Sequence, residues 1–136
     1  GTIGNQIGNA GAISLFGALE GNQSLKHLSL SRNLIGDEAA QAMSKLLKKN
    51  TTLIEVNLYD NKIGPEGAKC LAEAVKINKN IPHFNIGYNN IGPQGALALA
   101  EALEDNTKLQ ELNLYGNNIK DSGLRALASM LEKNTT

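Results

Sequence analysis

Apolar residues occupy the first, fourth and sixth positions of a short segment that recurs along the chain. In the clearest copy these are Leu109, Leu112 and Leu114, and Asn117 follows at the ninth position. Four segments share this frame: residues 25–33, 53–61, 81–89 and 109–117. Their starts are 28 residues apart with no insertion, and so strict a period indicates a repeat architecture.

Each segment predicts a strand, and the residues after it predict a helix. The polar fifth position between apolar fourth and sixth positions is typical of a half-buried strand. Downstream, apolar residues recur at offsets of three and four, which places them on one helix face. Asp37, Pro65, Pro93 and Asp121 mark the helix starts, since proline fits the first turn and aspartate can cap it. Asparagines end the helices: Asn50, Asn78, Asn106 and Asn134.

The period divides the chain into stacked units that form a single domain over residues 1–136. Residues 1–24 match a unit without its front, so we expect its helix and at most a fragment of its strand. Full units cover residues 25–52, 53–80, 81–108 and 109–136. Because successive strands run in the same direction, we predict an α/β fold with a parallel sheet.

Two further residue types recur in register and predict structural roles. Asparagine stands at the ninth position of every unit: Asn5, Asn33, Asn61, Asn89 and Asn117. Such a side chain can bond main-chain groups of a turn that has left the sheet, which predicts a structural ladder. Glycine occupies the first helical turn at Gly67, Gly95 and Gly123. Since glycine inside a helix costs about 1 kcal/mol relative to alanine, we infer a close backbone approach there.

The combined pattern, LxxLxLxxNxIGxxGxxxLxxxLxxN, resembles the leucine-rich repeats of the ribonuclease-inhibitor class over essentially the whole chain. That class includes ribonuclease inhibitor, the sensing ends of NOD-like receptors and Ran GTPase-activating proteins. The resemblance implies a curved solenoid with the parallel sheet on the concave face and helices on the convex face. Ribonuclease inhibitor itself is cysteine-rich with two alternating repeat types, whereas this chain has one cysteine and one repeat length.

Composition and charge narrow the classes of function. Thirteen basic and thirteen acidic residues give a formal net charge of zero, so we expect neither a nucleic-acid nor a membrane partner. The sequence contains no phosphate-binding loop, no HExxH motif and no paired cysteine–histidine spacing. We therefore predict no catalytic residue, no metal site and no cofactor, and hence a protein that is not an enzyme. The single Cys70 predicts a packed free thiol and favours a reducing, cytoplasmic location.

Candidate binding residues are those whose side chains should leave the concave sheet face. Ten candidates share this placement: Tyr59, Tyr88, Tyr115, Arg32, Asp60, His27, His83, Glu55, Glu111 and Asn113. The three tyrosines should form one ridge, because adjacent strands lie about 4.8 Å apart. Tyrosine and arginine are common interface anchors. Alternatively, the tyrosines only pack on each other and shield the turns.

His27 and His83 fall in one column with Glu55 between them and Glu111 beyond. Two strand spacings place the histidines roughly 10 Å apart. A shared zinc ion, with bonds of about 2.1 Å, cannot span that distance. We predict a solvated polar column and, as a hypothesis, a pH-dependent affinity for a partner.

At the C-terminal side, the last predicted strand has an unpaired edge, and Leu124, Leu127 and Leu131 lack a covering neighbour. Exposed edges recruit other edges, so we expect either a fragment of a longer array or self-association through this end. The glycosylation-like triplets that begin at Asn22, Asn50 and Asn134 can arise from the repeat itself.

The sequence thus predicts a protein-interaction module that binds a partner protein through its concave face. Two alternatives rest on the resemblance. One is a GTPase-activating protein of the Ran type, although no residue here matches a functional motif of that family. The other is a sensor or autoinhibitory segment of a NOD-like receptor, which would need a nucleotide-binding domain.

Overall fold

The computed structural model describes residues 5–133, and five helices alternate there with four short strands. The helices are α1 (Gly8–Leu19), α2 (Asp37–Lys49), α3 (Pro65–Ile77), α4 (Gly92–Leu103) and α5 (Lys120–Lys133). The strands are β1 (His27–Ser29), β2 (Glu55–Asn57), β3 (His83–Asn85) and β4 (Glu111–Asn113). The predicted strand fragment before Asn5 and the predicted helix end at Asn134 lie outside the described residues.

The four strands form one parallel sheet in sequence order, which confirms the predicted α/β solenoid. Leu28 pairs with Val56, Val56 with Phe84, and Phe84 with Leu112, so each unit repeats the register of the last. Each strand is only three residues long and is shorter than the apolar frame suggests. The sixth position lies beyond the strand, yet it still bonds the next unit, as when the Leu58 amide donates to the Asn85 carbonyl at 2.7 Å.

Helices stack on helices along the other side of the sheet, and the core lies between the two layers. In the inner units the frame residues are fully buried, for example Val56, Leu71 and Phe84. Gly95 confirms the predicted close approach, because a Cβ there would lie 2.8 Å from the Ile91 Cβ and 2.9 Å from the Ala68 Cβ. No Cβ fits at such distances, so the spacing between neighbouring helices depends on glycine at this position.

The ninth-position asparagines form the predicted ladder. The Asn89 Nδ2 donates to the carbonyls of Ile86 and Leu58, both at 3.0 Å, and its Oδ1 accepts from the Ile63 amide at 3.0 Å. Asn117 is buried in the same way, with its Nδ2 donating to the Ile86 carbonyl at 2.8 Å. Each asparagine therefore joins its own turn to the preceding unit and satisfies main-chain groups that the short strands leave unpaired.

The asparagines at the helix ends form a second ladder, which sequence analysis missed. The Asn78 Nδ2 donates to the Leu47 and Asn50 carbonyls at 2.8 and 2.9 Å, and its Oδ1 accepts from the Asn80 amide. Asn50 is likewise buried, and its Oδ1 accepts from the Leu53 amide at 2.8 Å. The glycosylation-like triplet at Asn50 is thus explained by packing, since its side chain is already engaged.

The expectation that Asp37 caps its own helix is wrong. Helix α2 has no side-chain cap, and the Asp37 Oδ1 instead accepts from the amide of Gly64, the residue before α3, at 2.6 Å. Asn9 does the same one unit earlier by accepting from the Gly36 amide at 2.8 Å. The stacking of units brings each of these side chains closer to the next helix start than to its own.

Within residues 5–133, no further unit covers the outer side of β4 and α5. Leu124 is 55% exposed and Leu131 is 67% exposed, although their equivalents in the inner helices are buried. A shallow hollow of about 400 Å³ lies between β4 and α5 and is lined by Leu112, Leu127 and Met130 among others.

A candidate protein-binding face

The ten candidate residues all lie at or near the strands on the side of the sheet away from the helices. In β1 the middle residue is buried while His27 and Ser29 are exposed, and β2 and β3 also bury their middle residue. In β4 the middle residue, Leu112, is half-buried. The sheet therefore presents a polar face, here called the sheet face, whose side chains do not contribute to the core. Tyr59, Tyr88 and Tyr115 follow the strands at one end of this face.

The three tyrosines stand side by side in one row, and their rings also pack on each other. The Tyr59 and Tyr88 ring centroids are 5.2 Å apart with the planes tilted by 59°, and those of Tyr88 and Tyr115 are 5.3 Å apart with a tilt of 58°. These values match the tilted arrangement that aromatic pairs prefer. Tyr115 is 70% exposed and Tyr88 is 44% exposed. The rings form a continuous surface, here called the tyrosine ridge, that faces solvent.

Tyr88 reaches the ridge from a different backbone position than the other two tyrosines. It comes one residue later in its unit and has φ of 50°, which is unusual for a bulky residue. Its ring lies over Gly116, where a Cβ would be 3.1 Å from the Tyr88 Cγ. Gly116 has φ of 73° and carries no side chain, so it both adopts the left-handed turn and leaves room for the ring.

Asparagines at the strand ends bond the backbone of the turns that carry the ridge. The Asn57 Oδ1 accepts from the Tyr59 amide, and the Asn113 Oδ1 accepts from the Tyr115 amide, both at 3.0 Å. Asn85 makes the equivalent bond to Gly87. Asn113, a predicted contact residue, therefore positions Tyr115. The recurrence of asparagine two residues before the turn could have revealed this role, because such side chains bond the backbone two residues on.

Polar side chains also pair with one another on the sheet face. The His27 Nδ1 lies 2.9 Å from the Glu55 Oε2, and the His83 Nδ1 lies 3.3 Å from the Glu111 Oε2. All four side chains are substantially exposed, which confirms the predicted solvated column. At the turns, the Arg32 Nε lies 3.3 Å from the Asp60 Oδ2. Exposed pairs of this kind add little to folding stability. A partner can therefore contact these side chains without weakening the fold.

Hydrogen bonding and burial shift two pKa values of interest. The hydrogen bond with Tyr115, and then the charge of that phenol, raise the pKa of Tyr88. Burial, and then the nearby Glu73 carboxylate, raise the pKa of the Cys70 thiol. A raised pKa leaves less of the reactive thiolate at neutral pH, and Cys70 is a free, half-buried cysteine.

Neither a metal centre nor a spanning helix is found in the described part of the chain. Among residues 5–133, no three His, Cys, Asp or Glu side chains are grouped so that they could hold a metal ion. None of the five helices has both the length and the apolar character required to cross a membrane.

The leucine-rich repeat family model matches residues 21–44, 49–72, 78–100 and 105–128, which together make up more than half of the chain. The chain belongs to the leucine-rich repeat family. Its matches follow the same period as the helices and strands. No curated protein matches the chain significantly in sequence.

Two solved structures share the fold of this leucine-rich repeat protein. One is described as Leiomodin-1 Actin-Binding Site 2, with 23% sequence identity and a TM-score of 0.76, covering 92% of this chain and 72% of that one. The other is the tropomodulin C-terminal domain of Caenorhabditis elegans, with 20% identity and a TM-score of 0.76, covering 93% and 80%. At these identities the likeness concerns the fold alone.

Proposed function

We propose that this leucine-rich repeat chain is a non-enzymatic module that binds a partner protein through its sheet face, with the tyrosine ridge at the centre of the contact. The observation that carries the proposal is the exposed ridge itself. Three contacting aromatic rings on a soluble surface offer a large and rigid contact area at a low entropy cost, and tyrosine is enriched among the anchors of protein interfaces.

The exposure of the rings supports a binding role over mere shielding of the turns. Tyr115 is 70% exposed and Tyr88 is 44% exposed, so neither ring is buried against the core. The left-handed backbone at Tyr88 recurs at the equivalent Arg32, Asp60 and Gly116, so it belongs to the repeat. The Arg32–Asp60 pair at the turns and the His–Glu pairs at the strand starts make the rest of the sheet face polar, as is typical around a binding anchor.

Actin is the first partner to test. The leiomodin-1 domain of similar fold is described as an actin-binding site, and the same scaffold here presents the ridge. The 28-residue period also leads us to infer membership of the ribonuclease-inhibitor-like class. We further infer a cytoplasmic location, supported by the single free Cys70.

The test compares three proteins in affinity capture from cell extract and in co-sedimentation with filamentous actin. These are the parent chain, a ridge variant with Tyr59→Ala, Tyr88→Ala and Tyr115→Ala, and a control with Ile77→Ala and Leu97→Ala. The control also removes exposed apolar side chains, but from the helices on the opposite side of the array. Circular dichroism and thermal melting verify that all three fold.

We expect the parent and the control to retain the same partner and the ridge variant to lose it by more than about tenfold in affinity. Equal capture by all three proteins would overturn the role of the ridge. Loss by the control alone would place the contact on the helices instead. Binding of a partner other than actin would keep the ridge and reject only the actin assignment.

A further inference from the structure

A small hollow opens on the sheet face at the starts of the inner strands. It has a volume of about 80 Å³ and lies over Val56 and Phe84, the buried middle residues of β2 and β3. Liquid water takes up about 30 Å³ per molecule, so the hollow is large enough for the end of one side chain. It is separate from the tyrosine ridge, because the third and seventh positions of an extended segment lie about 13 Å apart.

Three polar side chains in one row form the walls of the hollow. Glu55, His83 and Glu111 occupy the third position of β2, β3 and β4, and the strand register pairs His83 with both glutamates. The Glu55 and Glu111 side chains are 47% and 74% exposed. A group from solvent therefore reaches both carboxylates without displacing any part of the core.

Two asparagines close the hollow on the side of the turns. Asn85 and Asn113 line it there. Their Oδ1 atoms accept from the amides of Gly87 and Tyr115, both at 3.0 Å. These bonds draw the two side chains towards the turns, and so the space beside the third-position row stays unfilled.

The sheet face around the hollow carries negative charge. The first eight positions of the last three units contain three carboxylates and no lysine or arginine. The carboxylates are those of Glu55, Asp60 and Glu111. A histidine in its neutral form leaves the charge of the glutamate beside it uncompensated, so the surface is complementary to a cation.

The spacing of the two glutamates favours a guanidinium group. Two strand spacings separate the main chains at Glu55 and Glu111 by about 10 Å. A guanidinium has N–H donors on opposite edges of one plane, so it can reach both carboxylates while its face lies on the His83 ring. An ammonium group is a compact point charge, and it would contact one carboxylate at a time.

We propose that the partner protein places an arginine side chain in this hollow, with the guanidinium between Glu55 and Glu111, an inference that rests on the proposed function. The partner is thereby defined as one whose contact segment is basic. Its arginine lies about 13 Å from the group that covers the tyrosine ridge, so a single segment of the partner spans both places.

Titration with N-acetyl-arginine methylamide, followed by NMR, tests the proposal without the partner. The side-chain amide signals of Asn85 and Asn113 report from inside the hollow. Two matched probes are the same derivatives of citrulline and of lysine. Citrulline has the shape of arginine without its charge, and lysine has the charge without the planar fork.

Two double variants accompany the titration. The hollow variant carries Glu55→Gln and Glu111→Gln, which keep the size of the side chains and remove their charges. The control variant carries Glu73→Gln and Glu101→Gln, two exposed residues that line a groove between the neighbouring helices α3 and α4. Circular dichroism verifies that both variants fold.

We expect the arginine derivative to shift both asparagine signals in a saturable manner in the parent and in the control variant. The hollow variant should bind it at least about fivefold more weakly, because two ion pairs are lost. The lysine derivative should bind more weakly than the arginine derivative in the parent, and the citrulline derivative should cause no saturable shift.

Three outcomes of the titration would overturn the proposal. Equal shifts with the arginine and citrulline derivatives would show that charge does not matter in the hollow. Equal binding of arginine and lysine would show that no guanidinium bridges the two carboxylates. Unchanged affinity in the hollow variant would place the bound arginine elsewhere.

Affinity capture from cell extract separates this proposal from the proposed function. We expect the hollow variant to retain less of the partner than the parent does. If the hollow variant retains the partner fully while the ridge variant loses it, the proposed function stands and the arginine contact is wrong. If the ridge variant retains the partner, the role of the ridge is wrong, and the arginine titration still decides what the hollow binds.

Discussion

The unit that begins at Leu53 and the unit that begins at Leu109 carry the same apolar frame in different surroundings. In the first, Val56 and Leu71 are fully buried. In the second, the equivalent Leu112 and Leu127 are only half-buried, since one side of their unit faces solvent. The comparison shows that a unit of this length does not enclose a core by itself. Its neighbours complete the core, as in other repeat proteins.

The largest expected difference between the two units comes from truncating the equivalent leucine in each of them. Leu71→Ala should lower the free energy of unfolding by about 2–5 kcal/mol, because it leaves a cavity that packed neighbours cannot fill. Leu127→Ala should cost about 1–2 kcal/mol, because solvent already reaches that side chain. Chemical denaturation followed by circular dichroism measures both. Equal losses would mean that the last unit is covered by something else in solution.

The next effect concerns helix spacing at an inner and an outer glycine. Gly95→Ala should destabilise the fold by about 1–3 kcal/mol, because the new Cβ would overlap Ile91 and Ala68. Gly17→Ala is the matched substitution in α1, where a Cβ meets nothing within 4 Å. It should stabilise the fold by about 0.5–1 kcal/mol through helix propensity. Thermal melting measures both effects. If Gly95→Ala and Gly17→Ala shifted the melting temperature in the same direction, the proposed role of Gly95 in helix spacing would be wrong.

The smallest expected effect concerns the pKa of Tyr88, whose ring contacts Tyr115 of the last unit. Tyr115→Phe removes the hydroxyl that is the main cause of the raised Tyr88 pKa, so this pKa should fall towards its ordinary value. Because the pKa is raised in the folded state, the hydrogen bond contributes stability below about pH 10. That contribution is lost as the pH rises through the raised value.

Titration of the tyrosine ring signals by NMR measures this shift. Tyr59→Phe serves as the control, because Tyr59 is a lesser cause of the shift. An unchanged Tyr88 pKa in the Tyr115→Phe variant would show that the hydroxyl contact does not form in solution.

Much of the candidate site followed from the register of the repeats. Because each unit places the same position at the same height on the sheet, the alignment of Tyr59, Tyr88 and Tyr115 in one row could be predicted, and so could the column of His27 and Glu55. The role of Asn113 in orienting Tyr115 could not, since a polar residue on an exposed face suggests a contact residue until its bond to the Tyr115 amide is seen.

The sequence by itself determined the kind of fold, the order of the units and the face that each side chain takes, because these depend on local periodicity and on a regular repeat. Only the tertiary structure decided which unit each polar group serves. Asp37 bonds the start of the next helix, and Asn78 bonds the preceding unit. These choices depend on distances between stacked units, and those distances are set by the packing of side chains such as Ala68 against the backbone of Gly95.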